Sequence, residues 1–72
     1  MIEILLAAGF TDKGLCAVCG GRAHKFIKGT PQGNAEVTLK QGQNTFLLRY
    51  RGEIVKGNAA NLQQSLTARN LA

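Results

Sequence analysis

Two cysteines, Cys16 and Cys19, stand two residues apart, followed at once by Gly20-Gly21 and then by His24, the only histidine in the chain. Thiolates at that spacing can grip one tetrahedral zinc ion, and a glycine after the second Cys allows the tight turn whose N–H groups point at sulfur. The same pair can also cycle between dithiol and disulfide, or serve as small buried hydrophobes in a turn. His24 adds a third metal ligand or, alone, a general acid or base, histidine being the side chain that exchanges protons near neutral pH.

Cys16, Cys19 and the glycine after them resemble one half of a zinc ribbon, whose second Cys pair has no counterpart in the rest of the chain. Cys16, Cys19, a glycine and His24 also resemble the first three ligands of a retroviral-type zinc knuckle; its fourth, a Cys five residues on, is Gly29 here. Four states of the pair follow. They are a monomeric site completed by a carboxylate such as Asp12, a four-thiolate site shared in a dimer, a redox pair, and a structural turn. The redox state ranks last, because Gly20-Gly21 is a poor start for the helix that lowers a thiol pKa in thioredoxin-like pairs. The structural turn ranks first, so no cofactor is expected and zinc is the alternative.

The elements that must position these groups follow from patterning. Residues 1–9 read as a short helix with Ile2, Leu5 and Leu6 on one face. Gly9 is set to end it left-handed, with Phe10 folding back on Leu5 or Leu6. Residues 10–21 read as a loop that is polar over Thr11–Gly14 and then carries the Cys turn. Residues 22–56 read as an antiparallel sheet with strands at 23–28, 35–40, 45–50 and 53–56. Gly29–Asn34 forms a loop, Gln41–Asn44 a turn, and Arg51-Gly52 a two-residue hairpin turn. Residues 59–71 read as a helix whose capping box is Asn61 with Gln64, with Leu62 and Leu66 buried and Arg69 near the C-terminal dipole. The fold class is therefore α+β: a short N-terminal helix, a four-stranded meander and a C-terminal helix, in two layers with both helices on one sheet face.

Size and charge bound the function. A chain of 72 residues is one domain that buries about 60% of its unfolded surface, too little for a deep cofactor cleft. At 44% hydrophobic and 18% charged it lies far from the composition of disorder. No apolar run reaches the roughly 20 residues of a membrane span, and no cationic start precedes an apolar core as in a secretory signal. Two cysteines this close cannot staple a secreted mini-protein, so a reducing cytoplasm is expected.

The net charge of +5 is not spread evenly. Between positions 22 and 56 stand seven cations (Arg22, Lys25, Lys28, Lys40, Arg49, Arg51, Lys56) against Glu36 and Glu53, while Lys13 and Arg69 cancel Glu3 and Asp12 outside it. With Arg51-Gly52 as the turn, Tyr50 opposes Glu53, Arg49 opposes Ile54 and Leu48 opposes Val55. One face then collects Val37, Leu39, Phe46, Leu48 and Val55, and Tyr50 falls on it too. The other collects Lys40, Leu47, Arg49, Ile54 and Lys56, with Arg51 at the rim. Such a surface tracks phosphates, with counterion release as the driving force, although the aromatic content is only 6% and no stacking platform is visible.

These residues point to a non-enzymatic binding or accessory module. Its expected partner is nucleic acid, bound through Lys40, Arg49, Arg51 and Lys56. The alternative is a protein-interaction or homodimer module using Leu47 and Ile54, with Cys16, Cys19 and His24 as a degenerate or shared zinc knuckle. Neither membrane nor small-molecule substrate is expected. A lesser alternative is enzymatic: the glycine-rich entry to His24 and the terminal helix are similar at fold level to small bacterial ribonuclease toxins of αβββα fold. Those toxins carry a Gly-Ser-His run that is absent here, and one strand fewer.

Overall fold

The computed structural model describes residues 1–16, 23–40 and 44–72. Its elements are α1 (Ile2–Ala7), β1 (Thr11–Cys16), β2 (Ala23–Thr30), β3 (Gly33–Lys40), β4 (Thr45–Tyr50), β5 (Glu53–Asn58) and α2 (Ala59–Ala68). The strands form one antiparallel sheet in sequence order, each paired with its neighbour in the chain. The class is α+β as expected, but the sheet has five strands where patterning indicates four.

The additional strand lies in the stretch read as a loop. Thr11 pairs with Ile27, Asp12 with Phe26, Leu15 with His24 and Cys16 with Ala23, the register shifting between Asp12 and Leu15. Lys13 and Gly14 thus face Lys25 alone, with Gly14 at φ +79. A bulge of this kind flips the in–out alternation halfway along the strand, which is why the polar sequence reads as a connector. The expected six-residue loop at Gly29–Asn34 is likewise mostly strand. Pairing runs to Thr30 opposite Gly33, leaving Pro31-Gln32 as a two-residue turn. Thr30 Oγ1 closes that turn, accepting the Gln32 N–H at 3.2 Å and donating to the Gly33 carbonyl at 2.6 Å.

The last hairpin has the expected register: Tyr50 opposes Glu53, Arg49 opposes Ile54 and Leu48 opposes Val55. Arg51 and Gly52 have φ of +53 and +77, the paired left-handed backbone of a type I′ turn. The strand does not stop at Lys56. It continues to Asn58, whose Oδ1 accepts the Ala60 N–H at 3.1 Å and caps α2. Asn58, not Asn61, is the N-cap; Asn61 already lies in the first helical turn.

Both helices end in the same way. The Gly9 N–H reaches the Leu6 carbonyl and the Phe10 N–H the Leu5 carbonyl; at α2 the Asn70 N–H reaches Thr67 and the Leu71 N–H reaches Leu66. Each is a Schellman motif with a left-handed residue, Gly9 at φ +93 and Asn70 at φ +56. Each turns an apolar residue, Phe10 or Leu71, into the core. The helices are accordingly shorter than the expected spans 1–9 and 59–71. On α1 the buried set is also rotated: Leu5 is buried, whereas Ile2 is 40% and Leu6 51% exposed. Met1, Ile4 and Ala8 pack instead, satisfying the same 3/4 spacing on the neighbouring stripe.

One apolar cluster joins Leu5 and Phe10, the sheet residues Phe26, Ala35, Val37, Leu39, Phe46 and Leu48, and Leu62, Leu66 and Leu71. Lys28 enters the same side of the sheet as Phe26. Its ammonium donates to the Ala8 carbonyl at 2.7 Å and the Leu71 carbonyl at 2.9 Å. A cation on the exposed carbonyls behind two helix ends is favoured by both helix dipoles. No helix among the described residues is long and apolar enough to cross a membrane.

Candidate functional site

Alternation along β3, β4 and β5 sends one set of side chains into the core and the other to the opposite face. The register sets that face out in rows. Thr38, Leu47 and Lys56 lie abreast on β3, β4 and β5, and Glu36, Arg49 and Ile54 form the next row. Lys40 follows Thr38 along β3, and Arg51 stands at the turn beyond Arg49. All four predicted cations, Lys40, Arg49, Arg51 and Lys56, are exposed. Leu47 is half-buried and Ile54 is 59% exposed. Ile27 of β2 lies on the same face as Glu36, a half-buried neighbour that strand patterning alone leaves out.

The carboxylates are engaged elsewhere. Glu53 accepts from Arg69 Nε at 2.8 Å and lies 2.6 Å from its Nη2; Glu3 is 3.6 Å from the N-terminal amine; Glu36 is 3.6 Å from Lys25 Nζ. Although Glu36 opposes Arg49 in register, Lys25 holds it. Among the described residues, Lys40, Arg49, Arg51 and Lys56 form no ion pair. Their charge is open to an outside anion.

Two shallow grooves mark the face. One, of 570 Å³, runs between Lys40 and Lys56 over Leu47, with Thr38 and Asn58 on its walls. The other, of 310 Å³, is lined by Asn34, Glu36, Arg49, Arg51 and Ile54. Phe46 and Tyr50 belong to the core side, as expected.

The Cys–His constellation is divided. Cys16 ends β1 opposite Ala23, one position from His24. Cys19, Gly20, Gly21 and Arg22, like residues 41–43 of the expected Gln41–Asn44 turn, lie outside the described residues. Among the described residues no group of three His, Cys, Asp or Glu side chains is placed to hold a metal ion. His24 is in contact with Asp12, the carboxylate named beside it as a possible fourth ligand. Its Nε2 lies 2.6 Å from Asp12 Oδ1, and its ring stacks on Phe26 with centroids 4.6 Å apart. The Gly14 N–H donates to the same oxygen at 2.7 Å. That bond first, and the His24 contact second, hold the Asp12 carboxyl below the ordinary carboxylate range.

Compared with known protein families, curated proteins and solved structures, the chain gives no significant match. The functional reading therefore rests on these side chains.

Proposed function

We propose that the protein is a non-enzymatic binding module that associates with nucleic acid through the outer face of its sheet. The observation that carries this reading is the set Lys40, Arg49, Arg51 and Lys56, exposed on one face of the sheet and its rim without a carboxylate partner among the described residues. Neutralising phosphates and releasing their counterions is the main sequence-independent source of nucleic-acid affinity. The test is fluorescence anisotropy against salt. Affinity should fall steeply as salt rises, and Arg49→Ala with Arg51→Ala should weaken binding and flatten the slope by roughly two counterions. No binding at about 50 mM salt would reject the reading.

The reading needs no cofactor. Zinc on Cys16, Cys19 and His24, and a homodimer through Leu47 and Ile54, are its competitors. Native mass spectrometry reports both at once, as a zinc adduct abolished by Cys16→Ser or as a doubled mass.

The Asp12–His24 pair supports a second, enzymatic reading, because it supplies the orienting carboxylate that a histidine base requires. In RNA the 2′-hydroxyl is itself the nucleophile, so no protein nucleophile is needed. Equal RNA cleavage by wild type and His24→Ala would remove this reading.

A further inference from the structure

We infer that the outer face takes a single strand of nucleic acid rather than a duplex, with its backbone on the cations and its bases against Leu47, Ile54 and Arg49; this rests on the nucleic-acid reading above. The argument begins with the order of side chains on the face. Leu47 stands beside Lys56, and one row on, Arg49 stands beside Ile54. Along β4 the aliphatic residue precedes the cation, and along β5 it does the same, so the four positions alternate as a checkerboard. Opposed residues are about 5 Å apart and successive same-face residues about 7 Å, so every cation has an aliphatic neighbour within one nucleotide's reach.

A duplex has no use for that alternation. It shows a flat protein surface its phosphates and keeps its base faces stacked inside. To read it, an element must enter a groove, and the major groove, about 12 Å wide, admits one helix or a two-stranded ribbon. The β4–β5 hairpin is not a free ribbon: β4 is bonded to β3, and five strands about 4.8 Å apart span roughly 19 Å, too broad to enter. A single strand instead carries phosphates and unstacked bases side by side; with no aromatic platform among the described residues of this face, apolar contact from Leu47 and Ile54 and the plane of the Arg49 guanidinium take the bases beside the cations. Arg49 serves both needs, since a guanidinium plane stacks on a base while its N–H groups reach phosphate.

The grooves set the direction. One is flanked by Lys40 and Lys56 with Leu47 as its floor, and the other by Arg49 and Arg51 beside Ile54. A strand lying from one to the other runs along the β4–β5 hairpin. It covers on the order of four nucleotides, the small end of the site sizes of sheet-based single-strand binders. Glu36, held by Lys25, closes the path on the β2 side.

The experiment compares three fluorescein-labelled or competing probes at about 50 mM salt: a 12-nucleotide oligo-U, a hairpin duplex of equal charge, and heparin. The expected result is tenfold or greater preference for oligo-U over the duplex. Ile54→Ser, and separately Leu47→Ser, should lower oligo-U affinity several-fold without changing the slope against salt. Ile54 is the more exposed of the two, so its variant tests the inference even if Leu47→Ser perturbs the fold. Duplex binding as tight as oligo-U, or oligo-U affinity unmoved by Ile54→Ser, would overturn the single-strand inference and leave the basic-face reading standing. Binding of heparin alone, or of none of the three, would overturn both.

Discussion

Asp12 Oδ1 and His24 Nε2 meet at 2.6 Å across the bulge that separates the two ends of β1, pinning the outermost strand to its neighbour. The Asp12 carboxyl is held below its ordinary range, first by the Gly14 N–H and then by His24. The unfolded chain therefore binds the Asp12 proton more readily than the folded one. The stabilisation is fully present above the ordinary carboxylate pKa and is lost as pH falls through the lower folded value. Urea midpoints measured from about pH 6 down to pH 2 should show this loss, and Asp12→Asn should be less stable at pH 6 with a shallower acid limb.

Lys28→Met keeps the aliphatic stem but leaves the Ala8 and Leu71 carbonyls without their donor. The expected cost is about 1–3 kcal/mol, read as a lower urea midpoint. Hydrogen exchange should rise at the Phe10 and Leu71 amides, which close the two helix ends beside those carbonyls.

Gly57 faces the ring of Phe46, which is 3% exposed. A Cβ at Gly57 would lie 2.9 Å from Phe46 Cε1 and 3.0 Å from Cζ. A buried ring cannot withdraw by the several tenths of an ångström required, so Gly57→Ala should cost about 1–3 kcal/mol. Phe46→Leu in the Gly57→Ala background should be less damaging than the two single effects summed, as a double-mutant cycle would report.

Arg51 takes a left-handed backbone, φ +53, at a turn position where Asn is the common choice. Left-handed geometry strains a residue with a long side chain by about 1 kcal/mol or more. Arg51→Asn should therefore raise stability by about 0.5–1 kcal/mol while weakening polyanion binding. A variant that gains stability and keeps full affinity would remove Arg51 from the binding face.

The β4–β5 hairpin was readable because turn chemistry and alternation agree: Arg51-Gly52 sets a register in which Leu48 and Val55 are both inward. The outer face follows from the same register. β1 was hidden, because the extra residue at Lys13-Gly14 breaks the period of two. Asn58 was hidden as a cap because it is also the last residue of a strand. On α1, residues 2, 5 and 6 and residues 1, 4, 5 and 8 satisfy the helical spacing equally well, and only the sheet beneath selects between them. Asp12 is named beside His24 in the sequence only as a metal ligand; their direct contact comes from the pairing of β1 with β2, in which Asp12 opposes Phe26 two residues from His24. For Lys28, a strand cation in sequence, the inward direction follows from Phe26 two residues before it, but the carbonyls it meets come from tertiary packing.

The attachment of Lys28 has a kinetic consequence. Every strand pairs with its sequence neighbour, so the sheet can assemble through short closures, each with a modest entropic barrier. The Lys28 ammonium joins a partner 20 residues behind it to one 43 residues ahead. Because it needs both helix ends in place, that junction is expected to form late in folding. It should therefore set how long the folded molecule lasts, not how quickly it is made: in stopped-flow kinetics Lys28→Met should speed unfolding and leave the folding rate nearly unchanged.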